Sequence, residues 1–185
     1  MTTTPKANPF ALLNLPIRFD LDAVAIERAY LAGLTRAHPD AGGVHNSGDT
    51  STHGADAATL NKARKVLLDG EQRANALLEV LGGPAAADCK DLPDGFLMEM
   101  MTKRQTIEEE IEAGEDDSRA NWERWARSER QHYSEQALAL FEANTPEGTD
   151  EGLTQIRVLL NAWRYIERLI EQLDPEYHPS EADFR

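Results

Sequence analysis

The chain has 185 residues, 41% of them hydrophobic, which is enough for one large or two small domains with a real core. Its net charge of −14 is uneven: residues 1–83 carry eight Lys/Arg against nine Asp/Glu, the remainder eleven against twenty-four, an acidity that repels phosphate backbones and excludes nucleic acid as the expected partner. No apolar run approaches the roughly 20 residues that span a bilayer, and the one cysteine, Cys89, excludes an internal disulfide, a CxxC metal site and a four-cysteine iron–sulfur cluster.

The start, Met1-Thr2-Thr3-Thr4-Pro5-Lys6, is polar and proline-broken, unlike a signal peptide. A reducing cytoplasm is the expected location, with Cys89 an incidental loop residue and no cofactor. Residues 1–7 read as a disordered tail. Residues 8–16, Asn8-Pro9-Phe10-Ala11-Leu12-Leu13-Asn14-Leu15-Pro16, read as a short apolar helix ended by Pro16. A helix over about 21–37 follows, with Asp20 or Asp22 as N-cap. Its Leu21, Val24, Ala25, Tyr30, Leu31 and Leu34 recur at the spacing of one buried face. Pro39 stops it, lacking an amide hydrogen and pushing His38 out of the helical region. His38, Pro39 and Asp40 are thereby held at the mouth of a loop.

That loop, 41–55, is rich in Gly, Ser, Thr and Asp. Its His45 and His53 have neither a nearby cysteine nor helical i,i+4 pairing, so no metal is expected. A third helix starts near Asp56 and carries Leu60-Asn61-Lys62-Ala63-Arg64-Lys65-Val66-Leu67-Leu68. Arg73, Ala74, Leu77, Leu78 and Leu81 extend its apolar face, so it can run through the Asp69-Gly70 junction to Leu81. Gly82-Gly83-Pro84 ends it. A linker of small residues closes at Pro93. Three more helices follow: about 94–113, ending at Gly114; from Asp117 or Ser118 to just before Asn144-Thr145-Pro146; and from near Thr149 to Leu173, with Pro175 beyond. No strand alternation is sustained. The expected fold is all-α, its second half a three-helix bundle, because short connections favour antiparallel neighbours.

Two helices of that bundle carry more apolar surface than one stripe needs. At about 100° per residue, Phe96, Met100, Ile107 and Ile111 align as a core stripe, while Leu97, Met98 and Met101 fall on another sector. In the last helix Leu153, Ile156, Leu160, Trp163, Ile170 and Leu173 form one stripe, and Val158, Ala162, Tyr165 and Leu169 a second. Periodicity leaves two readings open. A helix touching two neighbours has a wide structural arc, and a methionine-bearing sector also suits an adaptable binding surface.

Short helix, long helix, His38-Pro39-Asp40, loop, long helix: this order resembles the J domain of DnaJ-type co-chaperones, and Leu60-Asn61-Lys62-Ala63 with Val66-Leu67 looks like that family's third helix. The resemblance implies that His38, Pro39 and Asp40 engage a DnaK-like ATPase chaperone and stimulate its ATP hydrolysis. It also implies that a basic face, here Arg28 and Arg36, docks on that chaperone, unless these arginines are only solvated surface charge. Ala41 stands where many members have a lysine.

Further along, Arg73-Ala74-Asn75-Ala76-Leu77-Leu78, Phe96-Leu97-Met98-Glu99 with Arg104, and Tyr165-Ile166-Glu167-Arg168-Leu169 resemble segments of HscB-type co-chaperones, which join a J domain to a three-helix bundle. The resemblance runs from Asn8 to Leu173. It implies a J domain over 8–83, a linker over 84–93, a scaffold-binding bundle over 94–175 and a tail over 176–185. It implies a protein without catalytic activity that binds the iron–sulfur scaffold IscU, delivers it to an HscA-type ATPase and promotes cluster transfer. The family's scaffold-contacting positions fall on Leu97, Met98, Met101, Thr102, Gln105, Glu109 and Tyr165. Thr102 and Gln105 replace acidic residues of the bacterial pattern, and Tyr165 replaces a phenylalanine. The alternative is a J-domain adaptor for a different client, with the acidic bundle as its client module. A small all-α enzyme finds no support, since no nucleophile–base set, paired carboxylates or phosphate loop stands at a recognisable spacing.

Overall fold

The computed structural model describes residues 8–37, 56–114, 117–144 and 149–174. Among them are seven helices and no strand, as the all-α expectation requires. The chain divides into two compact units, Met1–Leu81 and Gly82–Arg185.

The first unit holds α1 (Pro9–Leu12), α2 (Ala23–Ala37), α3 (Ala57–Leu68) and α4 (Gly70–Val80). Asn8 caps α1 by accepting from the N–H groups of Phe10 (2.9 Å) and Ala11 (3.3 Å). The expected helix over 8–16 is only one turn, because Asn14 takes a left-handed φ of 53° and ends it ahead of Pro16. Phe10 and Leu13 nonetheless fill the core. Asp22 is the residue at the start of α2, its Oδ1 accepting from the Val24 N–H at 3.2 Å, whereas Asp20 pairs with Arg18.

The buried face of α2 differs from the expected one. Ile26 and Gly33 are buried, Ala25, Tyr30 and Leu34 are half-buried, and Val24 and Leu31 face solvent. The cause is local. A Cβ on Gly33 would lie 3.3 Å from Leu60 Cδ1, so the glycine admits α3 at close range and turns that side of α2 inward. A fork from Arg64 to Glu27 (Nε to Oε2 2.8 Å, NH2 to Oε1 2.5 Å) joins the same two helices and holds the Glu27 carboxyl below its usual range.

The third helix does not run through to Leu81. Asp69 is extended (φ −82°, ψ 122°) and serves both helices, ending α3 and accepting from the Gln72 N–H at 3.0 Å as the N-cap of α4. Arg73 braces the break, donating to the Leu67 carbonyl at 2.5 Å and lying over the Phe19 ring at 5.0 Å.

The second unit holds α5 (Phe96–Glu112), α6 (Ser118–Asn144) and α7 (Asp150–Leu173) around one core of Phe96, Met100, Ile107, Ala126, Ile166 and Ile170 with their neighbours. Gly95 and Gly114, both left-handed, bracket α5. Thr149 caps α7 through the Gly152 N–H at 3.1 Å. All six residues of the first α7 stripe are buried. The separate second stripe is not found: Ala162 and Leu169 are buried in the same core, while Val158 and Tyr165 are half-buried. A helix flanked by two others buries a broad arc. Asn161 also ties the preceding segment to α7, its Nδ2 donating to the carbonyls of Cys89 and Asp91 at 3.0 Å each.

Candidate functional site

Along α5 the core and the solvent face are cleanly separated. Met100 is 3% exposed, whereas Leu97, Met98 and Met101 are 50%, 72% and 62% exposed. The bundle therefore does not use these three side chains. Thr102, Gln105 and Glu109 are exposed too. At about 100° per residue the six lie within an arc of about 140°, opposite the Phe96–Met100–Ile107 stripe.

Tyr165 enters from α7. Its ring stands edge-on to Phe96, centroids 5.5 Å apart and planes at 80°, an arrangement favoured by the ring quadrupoles. Tyr165 is thus fixed beside the first residue of α5, next in sequence to Leu97. Six of the seven expected positions share one face of α5, while Tyr165, half-buried on α7, packs against Phe96 of the core stripe.

Three polar members of the arc, Thr102, Gln105 and Glu109, are engaged within α5. The Thr102 hydroxyl donates to the Met98 carbonyl at 3.1 Å. Gln105 Nε2 donates to Glu109 Oε1 at 2.8 Å. Toward its C-terminal end the same arc takes in the exposed Glu108 and Glu112, so an acidic end adjoins the apolar one of Leu97, Met98 and Met101.

Behind this face, α5 is keyed to α6 by contacts that periodicity did not disclose. Lys103 lies 4.8 Å above the Trp125 ring and 3.4 Å from Glu99, and Trp122 Nε1 donates to Glu110 Oε2 at 2.7 Å. Burial, then Glu129 and Glu99, pushes the Tyr133 phenol up to about 12. The only sequence signal for these pairs was the presence of basic and aromatic residues on facing helices.

In the first unit, Arg28 and Arg36 are exposed on α2. His38, Pro39 and Asp40 lie outside the described residues, as do His45 and His53; α2 ends at Ala37, directly before the tripeptide. Among the described residues no group of His, Cys, Asp or Glu is arranged to hold a metal, and no helix is long and apolar enough to cross a membrane.

No protein-family model matches the chain. A curated relative from Paraburkholderia phymatum, described as a co-chaperone protein HscB homolog, is 28% identical over 166 residues, covering 89% of this chain and 95% of the relative. One of the same description from Vibrio cholerae is 35% identical over 102 residues, 55% of this chain and 60% of the relative. Among solved structures, chaperone HscB from Vibrio cholerae matches with a TM-score of 0.68 at 24% identity, covering 91% of this chain and 96% of that one. Human co-chaperone protein HscB matches with a TM-score of 0.68 at 20% identity, covering 97% and 86%. At such identities the structures speak for the fold, a J domain followed by a helical bundle. In sequence along nine-tenths of its length, and in fold, this chain is similar to the HscB-type co-chaperones.

Proposed function

We propose that this protein is a co-chaperone that binds an IscU-like iron–sulfur scaffold and delivers it to an HscA- or DnaK-like ATPase, whose ATP hydrolysis it stimulates. Residues 8–83 act as the J domain, 84–93 as the linker and 94–175 as the scaffold-binding bundle. His38, Pro39 and Asp40 engage the ATPase, with Arg28 and Arg36 beside them. The protein has no catalytic activity of its own and works in the cytoplasm, away from nucleic acid and membrane.

The observation that carries this reading is the exposure of Leu97, Met98 and Met101 on one side of α5. Three large apolar side chains in water are a standing driving force for association, at about 25 cal/mol for each Å² covered. They coincide with the positions at which the HscB resemblance places scaffold contacts. Flexible methionines adapt to a partner's relief, and Tyr165, backed by Phe96, supplies a pre-ordered aromatic edge.

The test is isothermal titration of the full chain with the organism's own IscU-like scaffold, wild type beside Leu97→Ala and Met98→Ala. Saturable binding is expected, weakened by at least ~1 kcal/mol in either variant if these are hot spots, with unchanged helicity. Equal affinity in all three would sink the assignment of α5. No binding by any of them would leave a J-domain adaptor for a different client.

A further inference from the structure

Three of the chain's four methionines, Met98, Met100 and Met101, fall in α5, and the helix treats them in opposite ways. Met100 is 3% exposed in the core, whereas Met98 and Met101 are 72% and 62% exposed. Three positions apart on a helix, Met98 and Met101 are surface neighbours, so two thioether sulfurs share one patch open to water. The one cysteine is placed differently: Cys89 is half-buried, its thiol donating to Asp91 Oδ2 at 3.9 Å.

We infer that Met98 and Met101 are a modification site, at which a peroxide converts the thioethers to sulfoxides and so switches off the apolar face of α5 until a sulfoxide reductase restores it. The inference rests on the function proposed above and adds a regulation of that same face. With hydrogen peroxide the sulfur lone pair attacks one peroxide oxygen. The S–O bond forms as the O–O bond breaks, a proton passes to the departing oxygen, and water leaves. Sulfur is oxidised by two electrons and the peroxide is reduced by two. The return step takes two electrons from a dithiol, giving thioether, disulfide and water, with one reductase for each sulfoxide epimer.

Access makes the step selective. A dissolved peroxide reaches Met98 and Met101 directly, while Met100 reacts only if α5 opens from the bundle. The consequence follows from the change in polarity. A sulfoxide is a polar, chiral group in place of a flexible apolar one, and a partner that covers it without donating a hydrogen bond must strip its water at a cost. Of the three large apolar side chains on the face, only Leu97 escapes. The fold does not suffer, because the bundle packs neither of the two side chains. Oxidation here is therefore a change of surface rather than damage to a core.

The experiment treats the full chain with hydrogen peroxide, removes the oxidant with catalase, maps the oxygen by peptide mass spectrometry and titrates untreated IscU-like scaffold by calorimetry. A Met98→Leu/Met101→Leu variant passes through the same steps and is judged by its ratio of treated to untreated affinity. In wild type we expect oxygen on Met98 and Met101 with Met100 reduced, an unchanged urea midpoint, and scaffold affinity lowered about ten-fold or more. Both reductases with dithiothreitol should bring it back to within about two-fold, and the ratio for the variant should stay within about two-fold of unity. Fully formed sulfoxides at both positions with affinity within about two-fold of untreated protein would make them mere scavengers and overturn the inference. So would an equal loss in the variant, which would place the sensitive group elsewhere, or oxygen on Met100 with a lowered midpoint, which would mean unfolding. Failure of untreated wild type to bind the scaffold overturns the proposed function and the switch together.

Discussion

Gly152, in the first turn of α7, illustrates how narrow some of the contacts are. A Cβ there would fall 1.7 Å from Asn144 Oδ1, at the end of α6, while Asn144 Nδ2 is engaged with the Leu140 carbonyl at 2.8 Å. Gly152→Ala therefore must break that bond or move the start of α7. We expect a loss of about 1–3 kcal/mol, the usual range for overpacking, measured by urea unfolding; an unchanged midpoint would show that Asn144 yields freely. Nothing in the sequence singled out Gly152, since its role depends on where a residue of another helix points. The exposed trio of α5 was legible, because Leu97, Met98 and Met101 depart from the period of their own helix. The Lys103–Trp125 and Glu110–Trp122 pairs were not, because pairing across helices requires a register that periodicity does not supply.

At the scale of elements, caps and stops decided most of what the sequence disclosed. Thr149 and Gly114 mark helix ends through chemistry that is local, and the three bundle helices fall within two residues of their expected limits. The first unit was harder to read. Asp69 looks like one polar residue in a continuing apolar pattern, yet its extended backbone divides α3 from α4. The face of α2 turned because Gly33 admits Leu60, a tertiary effect. Asp56 offers a test of how such an element begins. Its Oδ1 accepts from the Thr59 N–H at 2.7 Å, and bonds from the Thr59 side chain and then its N–H hold the carboxyl below its ordinary value. A lowered folded pKa means that the cap's charge-dependent stabilisation is present above the unfolded pKa. It is lost as pH falls through the folded value. Asp56→Asn should accordingly melt earlier than wild type near neutrality, and the gap should close as pH falls below the ordinary carboxylate range. A gap that persists in acid would show that charge plays no part in this cap.

For the whole molecule, the distribution of charge matters more than its total. Residues 84–185 hold eleven Lys/Arg against twenty-four Asp/Glu, so the second unit folds against its own repulsion. Sodium chloride at about 0.5 M, where the screening length is only about 4 Å, should raise its urea midpoint; a falling midpoint would mean that ion pairs such as Arg130–Glu167 outweigh the excess of acid. The readout is built in, since Trp122, Trp125 and Trp163 all belong to this unit. Tryptophan emission therefore follows the bundle alone. Trp125 adds something finer, because the Lys103 ammonium above its ring belongs to the helix that displays Leu97, Met98 and Met101. A ligand that tilts or slides that helix changes the electric field at the indole and shifts its colour. The protein thus carries an optical gauge of its own apolar face, and occupancy can be followed in unlabelled wild-type material.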